Sequence, residues 1–100
     1  HGRRKPKDAW DVVYCLRHVP AGIEGLAREF APWEGNRLVQ EGLDLLHAAF
    51  ETPQHVGPRD AARFEEPLDE ETFEIMARDA YERVSALLRA IGGVGATPRP

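Results

Sequence analysis

The amino-acid sequence predicts an all-α fold, a small bundle of four to five helices. Three observations point that way. Apolar residues recur at three- and four-residue steps in successive stretches, the spacing of a helix with one buried face. Short breaks rich in Pro and Gly separate those stretches. No segment alternates apolar and polar residues over the length of a strand, and there is no internal repeat.

The first helix is expected from Pro6 to His18. Proline suits a first turn, where its missing N–H would have no helical partner. Asp8 favours the positive end of the helix dipole. Ala9, Val12, Val13 and Leu16 occupy one side, and Trp10 and Tyr14 another. Apolar residues on so much of the circumference predict a largely buried, central helix, with Cys15 an inert thiol inside it. Val19-Pro20-Ala21-Gly22 is a breaker.

A second helix is expected over residues 22–31, with Ile23, Leu26, Ala27 and Phe30 inward and Pro32 closing it. Trp33 falls in a loop, open to an interface role. The third helix covers residues 36–50, with Leu38, Val39, Gly42, Leu45, Leu46 and Ala49 in one stripe. Gly42 in mid-helix costs about 1 kcal/mol relative to alanine, which close approach of a neighbouring helix would explain. Gly57-Pro58 reads as a turn. Residues 59–66 read as a short helix with Ala61, Ala62 and Phe64 inward, closed by Pro67. Asp69 is a good N-cap for the last helix. Phe73, Met76, Ala77, Ala80, Val84, Leu87, Leu88 and Ile91 line its apolar stripe, and Gly92-Gly93 is the expected stop. The domain is thus read as residues 6–92, between a basic lead-in, 1–5, and a tail, 93–100.

One hundred residues allow one domain with a modest core. The formal net charge of −4 argues against a stand-alone nucleic-acid binder. The charge is uneven: Arg3, Arg4, Lys5 and Lys7 open the chain, while Glu65, Glu66, Asp69, Glu70 and Glu71 crowd one segment. A single cysteine, Cys15, excludes an internal disulfide and fits a reducing, cytoplasmic setting. No apolar run nears the roughly 20 residues that span a bilayer, and no signal peptide is visible. The chain opens at His1, straight into a charged segment, as expected of a piece of a longer protein.

The stretch with chemical content is Arg4-Lys5-Pro6-Lys7-Asp8-Ala9-Trp10-Asp11. Asp8 and Asp11, three apart at a helix start, project on nearly the same face. With Lys7 and Arg4 beside them they could serve a nucleotide phosphate, a magnesium ion or a proton transfer. The same residues also read as dipole-stabilising acids and surface ion pairs of little energetic weight.

That stretch resembles the R-x-x-[RK]-D-x-x-D segment of AbiEii/AbiGii-type nucleotidyltransferases, the toxin members of abortive-infection toxin–antitoxin systems, through Arg4, Lys7, Asp8 and Asp11. Leu38-Val39-Gln40-Glu41-Gly42-Leu43, His55-Val56-Gly57-Pro58 and Arg78-Asp79-Ala80-Tyr81-Glu82-Arg83-Val84 are similar to later helical portions of related predicted nucleotidyltransferases. The resemblance implies that this chain is the C-terminal helical part of a larger α/β plus α protein. It implies Mg2+ and a nucleoside triphosphate for that parent, with Arg4 and Lys7 as phosphate contacts. Asp8 would be a base or nucleotide-orienting acid, and Asp11 a supporting acid or a structural partner. The implied partners are an N-terminal catalytic domain and an antitoxin. This chain lacks the family's G-S-x-x-x-x-R stretch and D-x-D pair, so alone it is expected to be catalytically silent and to hold no cofactor. A helical interaction module without chemistry is the alternative.

Other residues carry less. His18, His47 and His55 show no zinc-site spacing, so no metal site is expected. His47 is read as solvent-facing and His55 as a loop or capping residue. Trp10 and Tyr14 are read as core rather than as base-stacking groups. The stripe of the last helix is short for a coiled coil. It is read as core, with a homodimer through that surface as the alternative.

Overall fold

The computed structural model describes residues 6–95. Among them stand five α-helices, one 3-10 turn and no strand. The helices are α1 (Pro6–His18), α2 (Gly22–Arg28), α3 (Arg37–Ala49), α4 (Val56–Phe64) and α5 (Glu70–Gly95), with the 3-10 turn at Ala31–Trp33. The chain is an all-α bundle, as its periodicity predicts. No described helix is long and apolar enough to cross a membrane.

Helix ends follow local chemistry. α1 occupies the expected span. α2 stops at Arg28, short of residue 31. Glu29 N–H donates to Leu26 O and Phe30 N–H to Ala27 O, so the helix tightens into i→i+3 bonds. Pro32 disfavours α geometry at the residue before it, and a 3-10 turn follows. Asn36 caps α3, its Oδ1 accepting from Val39 N–H at 3.0 Å. Asp69 caps α5, accepting from Thr72 N–H at 2.7 Å. That bond holds the Asp69 carboxyl below the usual carboxylate range. Glu66 ends α4 with φ of 53°, a left-handed stop usually given to glycine, and Pro67 follows.

Two boundaries differ from the sequence reading. Gly57-Pro58 is not a turn but part of the first turn of α4, where proline sacrifices no helical bond. α5 does not stop at Gly92-Gly93; it runs on to Gly95. The lead-in 1–5, Arg4 with it, and the end of the tail, 96–100, lie outside the described residues.

The core lies where α1, α4 and α5 meet, with α2 laid against α5. Ala9, Val13 and Leu16 of α1 pack with Ala27, Phe50, Ala61, Ala80, Val84 and Leu87. Ala62, Phe73 and Ala77, flanked by Met76, form a second cluster between α4 and α5. Half of the buried apolar side chains are alanines, so the helices lie close together. Gly57 marks a close approach of α4 to the end of α3. A Cβ there would lie 2.5 Å from the Phe50 ring and 2.7 Å from the Ala49 carbonyl oxygen.

α3 sits at the margin, touching α4 and α5 only lightly. The stripe expected to be buried is split. Val39, Leu46 and Ala49 are half-buried, but Leu38 and Leu45 face solvent. Gly42 is exposed too, and among the described residues none beyond its own stretch of helix approaches it. The apolar arc of α3 is wider than the surface its own chain offers. With so little packing, α3 leans on its cap. Asn36→Ala is expected to cost about 1 kcal/mol and to raise amide exchange first in α3. Exchange rising evenly through all helices would contradict this marginal placement.

Candidate functional site on the first helix

α1 buries only one face, through Ala9, Val13 and Leu16. The expectation of burial around most of its circumference is corrected here, because α2, α4 and α5 approach from one side only. Tyr14 is 46% exposed, and Cys15 is exposed rather than enclosed. Both positions fall away from the buried 9–13–16 line.

The outward face carries the residues singled out in the opening motif. Lys7 Nζ donates to Asp11 Oδ2 at 3.0 Å, one turn along the helix. Asp8 is exposed in the first turn and engaged in an interaction of its own. Lys7, Asp8 and Asp11 therefore stand together at the start of α1, directed outward. Arg4, the fourth residue of the motif, is outside the described residues.

Aromatic rings follow along the same helix at four-residue steps. Trp10 and Tyr14 stack with ring centroids 4.9 Å apart and planes 28° from parallel. Tyr14 and His18 follow at 4.4 Å. Phe64 of α4 leans on Trp10 at 5.0 Å and is 40% exposed, not turned inward as its spacing implied. Trp10 is half-buried, so core packing describes it only in part. Trp10, Tyr14, Arg17, His18, Phe64 and Glu65 line a shallow open groove.

An ion network forms the floor at one side of that groove. Glu65 Oε2 accepts from Trp10 Nε1 and from Arg17 Nη1, both at 3.0 Å. Arg17 Nη2 donates to Asp79 Oδ2 at 3.0 Å, and Arg83 Nε reaches both Asp79 oxygens. One guanidinium thus ties α1 to the end of α4 and the middle of α5. Burial opposes charge on the Asp79 carboxyl. The bonds from Arg17 and Arg83, with their positive charges, outweigh it and hold Asp79 below the usual carboxylate range. Arg17 is opposed by burial in the same way, and its bonds to Asp79 and Glu65 raise it above the ordinary arginine value.

Sequence reasoning missed this network. The Asp79–Arg83 spacing of four was a legible signal. Nothing local pointed from Arg17 to Glu65 or Asp79, which lie 48 and 62 positions away.

The histidines play local parts. His55 Nδ1 lies 2.8 Å from Thr52 Oγ1 in the loop before α4, and His47 is exposed. Trp33 is 52% exposed. Among the described residues no group of three or more His, Cys, Asp or Glu side chains gathers to hold a metal ion. Comparison with protein-family models, with curated proteins and with solved structures finds no match to this chain.

Proposed function

We propose that this chain is the helical part of a nucleotidyltransferase and that the outward face of α1 borders the nucleotide. One observation supports this most: Lys7 and Asp8 stand exposed and Asp11 half-exposed at the start of α1, followed along the helix by exposed Tyr14 and His18. The Lys7–Asp11 pair is exposed on both sides, at 60% and 46%. Such a pair is weak in water, so a phosphate can compete for the ammonium. Asp8, in the first turn, would repel a phosphate placed on the helix axis. The reading therefore assigns phosphate to Lys7, and a hydroxyl or base N–H of the nucleotide to Asp8. The exposed ring edge of Tyr14 is placed to meet a base.

The metal-holding acids and the reacting groups belong, on this reading, to an N-terminal catalytic domain that precedes the helical part. An antitoxin partner and a cytoplasmic setting follow from the family resemblance. Two measurements test the reading. The reading frame upstream of residue 1 should encode a G-S motif with paired acids; a frame without them ends the proposal. In the longer protein, Asp8→Ala and Lys7→Ala should each reduce nucleotide transfer at least about a hundredfold, with an unchanged helical circular dichroism signal. Full transfer by both variants would remove α1 from the site. The 100-residue chain with magnesium should show no transfer by itself.

A second reading, a helical interaction module without chemistry, is favoured by the uncovered leucines of α3. It predicts binding that is indifferent to Lys7 and Asp8.

A further inference from the structure

Leu38 and Leu45 are 77% and 72% exposed on one edge of α3. Gly42 lies between them, and among the described residues nothing beyond its own stretch of helix comes within 4 Å of where a Cβ would stand. Positions 38, 42, 45 and 49 follow one helical seam. A mid-helix glycine weakens the helix, and among the described residues no packing compensates for it here. Along the flank of the seam run Arg37, Glu41 and Asp44, all exposed. Arg37 and Glu41 share an ion pair at 3.4 Å, while Asp44 has none among the described residues. The flank is therefore positive at its N-terminal end and negative towards its C-terminal end.

We propose that α3 pairs antiparallel with α3 of a second copy of this chain, about a two-fold axis passing beside Gly42. In that register Leu38 of each copy meets Leu45 of the other. Gly42 faces its equivalent, and the missing side chains let the two backbones approach closely. A two-fold antiparallel pair sets like flanks against each other. Arg37 of each copy then falls beside Asp44 of the other, twice over. A parallel pair would set this flank against the partner's opposite flank, Val39, Leu43 and Leu46, and leave Arg37 without Asp44, so the charge pattern selects the antiparallel arrangement. Glu41 lies near the axis opposite its own equivalent, and its bond to Arg37 offsets that repulsion. One pair of 13-residue helices falls short of the usual interface of about 1,600 Å². The association is accordingly weak, with Kd on the order of 100 µM.

Sedimentation equilibrium of the whole chain from about 10 µM to about 1 mM tests this, in reductant because Cys15 is exposed. The wild-type chain should pass from monomer to dimer across that range. Leu45→Glu and Gly42→Ala should each raise Kd by at least about tenfold, with helix content unchanged. Arg37→Asp should weaken the dimer, and Arg37→Asp with Asp44→Arg should restore it. A wild-type chain that stays monomeric throughout overturns the proposal. So does a dimer insensitive to Leu45→Glu, which would place the interface elsewhere, or a double exchange as weak as the single one.

Discussion

Gly57→Ala is expected to destabilise the fold by about 2–3 kcal/mol, although helix propensity alone predicts the opposite sign. Alanine is favoured over glycine in a helix by up to about 1 kcal/mol, and Gly57 lies in α4. The added methyl, however, would stand 2.5 and 2.6 Å from two atoms of the Phe50 ring and 2.7 Å from the Ala49 carbonyl oxygen. Phe50 is only 3% exposed, wedged into the main core, so its ring has no free space to turn into. The carbonyl belongs to the last turn of α3 and moves only if that helix moves. Overpacking therefore outweighs propensity. In urea the midpoint should fall with an unchanged slope, and Tm should drop by about 10–20 °C. Gly42→Ala, with open space around it, is the control and should stabilise the dilute monomer. A Gly57→Ala chain as stable as wild type would show that α3 and α4 are not packed this closely.

Arg17→Met keeps the apolar stem and removes the charge that joins three helices. It leaves the carboxylates of Glu65 and Asp79 facing the gap, 26% and 36% exposed. Trp10 still donates to Glu65, and Arg83 to Asp79, so neither acid is abandoned. Hydrogen bonds to charged groups are worth about 1.5–3 kcal/mol when well shielded, and this site is partly wet. A loss of about 1–2 kcal/mol at neutral pH is expected. The sign of the pH dependence follows from Asp79. Its carboxyl is held below the ordinary range in the fold, so it releases its proton more readily there than in the unfolded chain. The stability this provides is present above the unfolded value, about 3.9. It fades as pH falls through the lower folded value. The gap between wild type and variant should therefore be full near neutrality and narrow in strong acid. Denaturant midpoints measured at both pH values check this, and an equal gap at both would mean that Arg17 acts through packing rather than charge.

Much of the fold was legible because its signals are local. Pro6, Asn36 and Asp69 mark helix starts through chemistry completed within one turn. The stripe of α5 was read correctly at Phe73, Ala77, Ala80, Val84 and Leu87, all buried. At the candidate site, surface ion pairing was one of the two readings of the opening motif, and the structure pairs Lys7 with Asp11. The misreadings share a cause. Tyr14, Cys15, Leu38 and Leu45 are apolar or nearly so, and apolar character was taken to mean burial. Burial needs a neighbour to supply it, and α1 and α3 carry more apolar arc than the other helices cover.

The sequence by itself determined that this chain is helical, where most helices begin, and which residues crowd the front of the first one. Those properties arise from contacts one to four residues apart, which the order of residues specifies directly. Only the tertiary structure decided which side of α1 and α3 stays open. It also decided that Gly57 must have no side chain and that Arg17 answers to acids on two distant helices. Each of these depends on segments brought together from far along the chain, where the spacing of residues carries no information about the distance between them.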